Sequence, residues 1–598
     1  MRKNNKNSKK NAKIIMLLCF IMLAGSLVSC LKKPVRTGLH FGPEGAAWAE
    51  KQLKKMSLKE KVGQMICCRY TGEYFNSRDE YLKNLRQLTV EEKVGGFILF
   101  SGDVYATAYL TNSLQREAEI PLLISSDLER GLGNQIEGAT LFPPLMSIGA
   151  ADSDELAYQM GRITAQEARA VGIHVTYAPV VDVNINPDNP IINVRSLGED
   201  PKRVGELAAA FIKGCQENEL IATAKHFPGH GDTDLDSHSV LPTITGDRER
   251  LEQVELYPFK KAIEAGVRAI MTAHLRVPSL DPAPDIPATL SETIMTGLLR
   301  EELGFKGLIV TDAMDMGGIV NIYSQEEAAV MAVNAGVDMV LIPPEPRKVI
   351  QALSDAAVQG LIPEDRINDA VRRILKAKAS LGLHRKAQVD IDALDQIIGA
   401  PESKQAAEEA FARSITLVKN ENDVLPLVER EKKIMVFSLS SDPGGYFAGQ
   451  TFVNEVKNRC PNATEFYADA FTGKEYLLEA FLTSCDADVI LIALFSRLRA
   501  WKGSVGLNEE HIRLIKYMAS ATIPVVVVSF GSPYFYLQFP DVTAYVCAYR
   551  HAAQAQIAAV KAIFGEAAAS GKLPVSIPGY YPLGHGLKLS KINEVELP

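Results

Sequence analysis

Between Lys225 and His238 the chain gathers His226, His230 and His238 with Asp232, Asp234 and Asp236, in a run that holds Gly229 and Gly231 and is closed by Pro242. The stretch reads as too polar and too glycine-rich to be core, and its glycines permit tight or left-handed turns. It follows a short apolar piece, residues 220–224, that reads as the end of a strand. Asp236 and His238 stand two apart, so on an extended or turning loop both side chains lean the same way. A carboxylate beside an imidazole fixes its tautomer and stabilises the protonated ring, as a general acid/base needs. Two blander readings stand beside this one. Such loops are most often simply solvated. His230, Asp232, Asp234 and His238 are also all possible metal ligands, although neither an HExxH pattern nor a Cys/His spacing is present.

A second carboxylate ends the apolar run Gly307-Leu308-Ile309-Val310-Thr311-Asp312. This reads as a buried strand that delivers a charge at its end. A helix N-cap ahead of Ala313-Met314 is the alternative. Other apolar runs also end in polar residues: Ile124 leads to Asp127, Ala224 to Lys225 and His226, and Ala273 to His274. If those runs are strands of one parallel barrel, their polar ends share its C-terminal face. His274 reads as mainly structural. For Arg195, in Asn193-Val194-Arg195-Ser196-Leu197-Gly198-Glu199-Asp200-Pro201, a salt bridge to Glu199 or Asp200 is as good a reading as substrate binding.

The positioning elements are legible from about residue 46 to 387. Short aliphatic runs at 96–100, 121–125, 174–181, 269–273, 308–311 and 337–342 read as buried parallel strands. Helical patterns fall between them at 156–171, 203–218, 248–265, 292–303 and 325–335. This βα alternation predicts an α/β chain whose N-terminal unit is a (β/α)8 TIM-like barrel. Residues 388–404 read as a linker. A helix at 406–417 and strands at 433–439, 489–495, 525–530 and 544–548 predict a smaller α/β sandwich domain over 405–598. No catalytic glutamate stands out there, and its glycines lack the phosphate-loop spacing.

The 598 residues, 47% hydrophobic and 23% charged, carry a net charge of −8, which speaks against a nucleic-acid surface. Met1 to Lys13 is basic and residues 14–23 are apolar but too short to span a bilayer. With Leu27-Val28-Ser29-Cys30 they predict a secretory signal peptide over 1–30, followed by a tether over 31–45. The Leu-x-small-Cys ending resembles a bacterial lipobox. It implies cleavage before Cys30, lipid on that cysteine and attachment to a membrane through the anchor; a plain signal peptide that happens to hold a cysteine is the alternative. The remaining cysteines form no CxxC and read as buried small hydrophobes. No cofactor or metal is expected.

The string K-H-F-P-G-H-G-D-T-x-x-D-S-H-x-x-x-P resembles the signature of the β-N-acetylglucosaminidase branch of glycoside hydrolase family 3. The resemblance implies His238 as acid/base with Asp236 as its orienting partner, and Lys225 and His226 as ligands of the terminal sugar's hydroxyls. Gly307 to Asp312 resembles the family's nucleophile motif, which implies attack by Asp312 on the anomeric carbon. Asp127, in Ser125-Ser126-Asp127-Leu128-Glu129, resembles an aspartate that binds outer sugar hydroxyls, and Arg195 matches a substrate-binding arginine. One corner departs: relatives read D-x-E-G-G-R, whereas Arg130-Gly131-Leu132 follows Glu129 here. Thr416-Leu417-Val418-Lys419-Asn420 and Pro582-Leu583-Gly584-His585-Gly586 resemble the ends of the family's second domain, so the likeness spans nearly all of the mature chain. The implied activity is retaining hydrolysis of terminal β-linked GlcNAc, with peptidoglycan fragments as substrates. The glycine-bearing dyad loop is expected to move, leaving the dyad misplaced without ligand. Phosphorolysis of the same bond and a catalytically silent glycan-binding surface lipoprotein are the alternatives.

Overall fold

The protein is described here from a computed structural model covering residues 42–496 and 506–592. Cys30, the expected signal peptide and most of the expected tether lie outside the described residues. Eight parallel strands form the N-terminal barrel: β1 (Ile66–Gly72), β2 (Gly96–Asp103), β3 (Leu123–Ser126), β5 (Val175–Thr176), β6 (Ile221–Phe227), β7 (Ala269–Thr272), β8 (Leu308–Val310) and β9 (Val340–Leu341). A two-residue strand, β4 (Ile136–Glu137), pairs with β2 off this path. β9 pairs with β1, and at the opposite seam Val310 bridges Met339, so the barrel is nearly closed. Backbone bonds from Asp338 N–H to Ile309 (2.8 Å) and from Thr311 N–H to Met339 (3.1 Å) complete that seam.

Three elements differ from their expected form. β1 was not among the expected strands; its Cys67-Cys68-Arg69 core breaks the aliphatic pattern, yet both cysteines are buried. The run at 174–181 keeps strand pairing only over Val175–Thr176, because Pro179 has no N–H to donate to a ladder. The chain nevertheless stays beside β6, with Val181 N–H on the Lys225 carbonyl at 2.8 Å. β6 itself runs on through Lys225, His226 and Phe227, all buried, so the polar pair belongs to the strand and not to the loop after it. The expected helix at 248–265 is two, Arg248–Gln253 and Leu256–Glu264, while Gln325–Ala335 is helical over the expected span.

The second domain is a six-stranded sheet in the order β10 (Thr416–Asn420), β15 (Ala544–Cys547), β14 (Val525–Ser529), β13 (Val489–Phe495), β11 (Ile434–Ser440), β12 (Thr464–Ala468). Only β10 runs antiparallel to its neighbour. Along β11, Ile434 and Val436 face a core shared with the helices Gln450–Arg459 and Ala553–Ile563. Met435, Phe437 and Leu439 face the other core, shared with Lys474–Ser484 and Glu509–Ala519. Alternate residues thus feed two cores, as a sheet covered on both faces requires. The helix Pro401–Ser414 begins inside the stretch expected to be linker, with Pro401 at its first turn.

This domain sits on the barrel. Met146 and Ala150, on the barrel helix Leu145–Ala151, join the second domain's core around Leu573. Glu199 N–H donates to Pro574 O (2.9 Å), Ser576 Oγ donates to Glu199 (2.9 Å), and Asn184 Nδ2 donates to the Tyr534 hydroxyl (3.1 Å). A Cβ on Gly149 would lie 1.9 Å from the Leu197 carbonyl. That glycine is what lets the helix approach the loop beneath the interface.

Candidate active site

The strand ends converge on one cavity of about 780 Å³ at the barrel's C-terminal mouth. Asp127, Arg195, Lys225, His226, His238 and Asp312 all line it. The second domain supplies part of the wall, from Ser496, Phe530 to Ser532, and Tyr549 to His551.

On one side lies a charged clamp. Lys225, at the end of β6, places Nζ 2.8 Å from both Asp127 Oδ1 and Glu129 Oε1. Arg195 grips Glu129 with Nε to Oε2 at 3.0 Å and Nη2 to Oε1 at 2.8 Å. The reading of Arg195 as a partner of Glu199 or Asp200 is thereby corrected. Glu199 is held by the second domain, and Asp200 caps the helix Pro201–Glu217 by accepting from Lys202 N–H. Burial would raise the Glu129 carboxyl, but Arg195 and Lys225 hold it well below the usual range. Burial likewise opposes the charge on Lys225, and Asp127 and Glu129 outweigh it, raising its pKa.

His226 is oriented by Asp182, which accepts from Nδ1–H at 2.7 Å and from the His226 and His230 amides at 3.2 and 2.7 Å. Its Nε2, 3.5 Å from Arg195 Nη2, faces the clamp. Glu129 and Asp182 were not singled out from the sequence. Asp182 did leave a signal: an acid inside the apolar run Val180-Val181-Asp182-Val183 must find donors if that run is buried.

On the other side, Asp236 Oδ1 accepts from His238 Nδ1–H at 2.8 Å and from the His238 amide at 2.9 Å. The pair is formed and the loop is docked, with Asp236 and Ser237 buried, contrary to the expectation of a segment outside the core. The metal alternative is not supported by placement. Asp232 pairs with Arg250 (2.7 Å), Asp234 is exposed, and His230 is bonded to Thr233 and Ser237. Among the described residues no three His, Cys, Asp or Glu side chains gather around a common point.

Asp312 follows β8 and accepts from the Ala313 amide at 2.8 Å. It caps no helix, since the next one, Gly317–Val320, starts beyond Met316. Burial would raise its carboxyl, but the His226, His274 and His238 imidazoles and the Ala313 amide outweigh that and hold it below its ordinary value. The carboxylate is therefore held in its ionised form. His274 donates from Nε2 to the Ala313 carbonyl at 3.1 Å, bracing the turn that carries Asp312. Arg130 also lines the cavity. Burial lowers its pKa, and its Nε has no hydrogen-bond partner among the described residues.

The arrangement offers a carboxylate held in its ionised form, an imidazole paired with a second carboxylate, and a cluster of hydrogen-bond donors and acceptors around one cavity. Comparison with known proteins identifies the family. Residues 57–377 match the glycosyl hydrolase family 3 N-terminal domain and residues 415–588 its C-terminal domain. The chain is 30% identical over 557 residues to a β-N-acetylglucosaminidase/β-glucosidase of Cellulomonas fimi, covering 89% of this chain and 96% of that protein. It is 32% identical over 548 residues to β-hexosaminidase A of Pseudoalteromonas piscicida, covering 82% and 91%. Among solved structures it resembles a family 3 β-N-acetylglucosaminidase from Paenibacillus sp. str. FPU-7, with TM-score 0.78, 32% identity and coverage of 87% and 99%. It also resembles the β-glucoside phosphorylase BglX, with TM-score 0.81, 26% identity and coverage of 91% and 99%.

Proposed function

Because the chain belongs to glycosyl hydrolase family 3, we propose that it is a retaining exo-β-N-acetylglucosaminidase that removes terminal β-linked GlcNAc through a covalent glycosyl-enzyme. The observation that carries this reading is the shared cavity: Asp312 and His238 line it together with the clamp, and Asp236 stands behind His238 as its hydrogen-bond partner. In the first step an Asp312 oxygen bonds to the anomeric carbon as the glycosidic C–O bond breaks. The leaving oxygen takes its proton from His238 Nε2, since Nδ1 is engaged by Asp236. In the second step His238 Nε2 takes a proton from water, and the resulting hydroxide displaces Asp312. Asp127, Arg195, Lys225 and His226 bind hydroxyls of the terminal sugar. An imidazole is well matched to both proton transfers, its unperturbed pKa being about 6.5.

Asp312→Asn tests the nucleophile; kcat on an aryl β-GlcNAc should fall by about 10⁴ or more. Proton NMR of the first-formed sugar should show the β anomer. An inverted anomer, or a variant that keeps most of its activity, overturns the reading. Peptidoglycan fragments ending in GlcNAc are proposed as the substrates from the exported leader together with the family. Attachment at Cys30 is proposed from the leader alone: Cys30→Ala should release the protein from the membrane fraction. The likeness to a phosphorylase favours one second reading, transfer of the glycosyl group to phosphate. A histidine acid/base avoids the repulsion that a carboxylate would exert on that anion. Formation of GlcNAc 1-phosphate in phosphate buffer distinguishes it from hydrolysis.

A further inference from the structure

Asp236, Ser237 and His238 sit near the tip of a loop whose neighbours Asp234, Leu235 and Val240 are exposed, yet Ser237 is 2% exposed. Contacts on two sides account for this. Towards the root of the loop, Ser237 Oγ lies 2.9 Å from His230 Nε2. Towards the nucleophile, the Gly317 amide donates to the His238 carbonyl at 2.8 Å and the Gly318 amide to the Ser237 carbonyl at 3.2 Å. Both glycines lie on the segment that runs on from Asp312.

His230 is itself fixed. Its amide is held by Asp182 and its carbonyl accepts from Asn189 Nδ2 at 2.9 Å. The Thr233 hydroxyl donates to that carbonyl, so Thr233 Oγ1 accepts from His230 Nδ1–H at 3.0 Å. Nε2 of the neutral ring then accepts from the Ser237 hydroxyl. Burial pushes the ring's pKa down to about 4, which keeps it neutral and able to accept. On the other side, a Cβ at position 317 would stand 2.7 Å from both the His238 and Ser239 carbonyls, and only glycine allows the two backbones to meet.

We propose that His230 and Ser237 are positioning residues for the acid/base dyad, and that the Gly317–Gly318 amides register it directly against the loop that carries Asp312. Neither His230 nor Ser237 takes part in the proton transfers; they hold His238 at the depth where its Nε2 meets the leaving oxygen. The inference rests on the assignment of His238 as acid/base. A misplacement of about 1 Å costs on the order of 10² in rate, and a general acid contributes about 10² to 10⁴. The effect of loosening the latch is thus measurable and bounded by the loss of His238 itself.

The test compares kcat/KM, which reports the first step, on N,N′-diacetylchitobiose and on 2,4-dinitrophenyl β-GlcNAc, whose leaving group needs little protonation. Ser237→Ala should lose about tenfold on the disaccharide and less than about twofold on the aryl substrate, and Ser237→Thr should retain the wild-type ratio. Gly317→Ala should lose about 10² on the disaccharide alone. Equal losses on both substrates, or no loss on either, overturn the proposal. Ser237→Ala removes one oxygen and decides the matter if Gly317→Ala fails to fold. His238→Ala separates the two levels. If it does not distinguish the substrates, the acid/base assignment fails; if it does and Ser237→Ala does not, only the latch fails.

Discussion

Two buried charge clusters sit at opposite parts of the barrel, and they are wired differently. In the clamp, Glu129 accepts from Lys225 and Arg195, while Asp127 accepts through Oδ1 alone from Lys225. Its acceptors are only partly used, and its groups open onto the cavity. At the closing seam, Asp338 is wholly buried and its two oxygens take four donors: Arg300, Arg366, Arg373 and the Ile309 amide. A carboxylate offers about four lone-pair sites, so Asp338 has none left for a ligand. Burial would raise Asp338, but the three guanidiniums hold it below its ordinary value. One carboxylate cannot compensate all three, and burial, with repulsion from its neighbours, brings Arg300 down to about 10. Spare hydrogen-bonding capacity facing a cavity, rather than buried charge as such, separates the clamp from the seam.

The sharpest way to break this contrast is Asp338→Asn. It leaves three guanidiniums without their anion and should cost about 3–5 kcal/mol of stability. Denaturant titration should show that loss while kcat of the folded protein stays unchanged; a folded variant with impaired kcat would contradict the division. Asp127→Asn should do the reverse. We expect kcat/KM to fall by about 10² to 10³, the equivalent of about 3–4 kcal/mol, with the unfolding midpoint nearly unmoved because Lys225 keeps Glu129.

Acid sharpens the comparison further. Asp338 has its pKa lowered on folding, so its contribution is present above the ordinary carboxylate value of about 4 and is lost as pH falls through the lower folded value. The wild type should therefore lose stability below about pH 4 by a component that Asp338→Asn lacks.

A third buried charge, Lys378, has one hydrogen-bond partner among the described residues, Gln64 Oε1 at 2.6 Å, and burial brings it down to about 7. Its folded pKa lies below the unfolded value, so the native state binds fewer protons and stability rises with pH from about 7 towards 10.4. Comparison of pH 7 with pH 9 should show a gain of about 2 kcal/mol that Lys378→Met abolishes. An equal slope in both proteins would mean that the amine is hydrated.

The site was legible where chemistry leaves a local mark. Asp236 and His238, two apart, form their bond within a single turn, and polar residues ending aliphatic runs did mark the mouth of a parallel barrel. Arg195 could not be assigned from spacing. Its neighbours Glu199 and Asp200 offered charges close in sequence, while its partner Glu129 lies on a loop from a different strand. Lys225 and His226 looked like loop residues because charge signals exposure, and only their partners Asp127, Glu129 and Asp182 make burial inside β6 affordable. β1 was missed because its two cysteines and an arginine interrupt the aliphatic pattern by which buried strands are recognised.

The sequence by itself determined the alternation of strands and helices, the division into a barrel and a second sheet, and the residue types available for proton transfer and nucleophilic attack. These follow from local periodicity and from short-range spacing. The tertiary structure alone decided which carboxylate answers which cation, that the second domain walls the cavity, and that Gly317 and Gly318 receive the loop bearing His238. Those outcomes depend on distances between segments far apart in the chain, and a linear pattern carries no record of them.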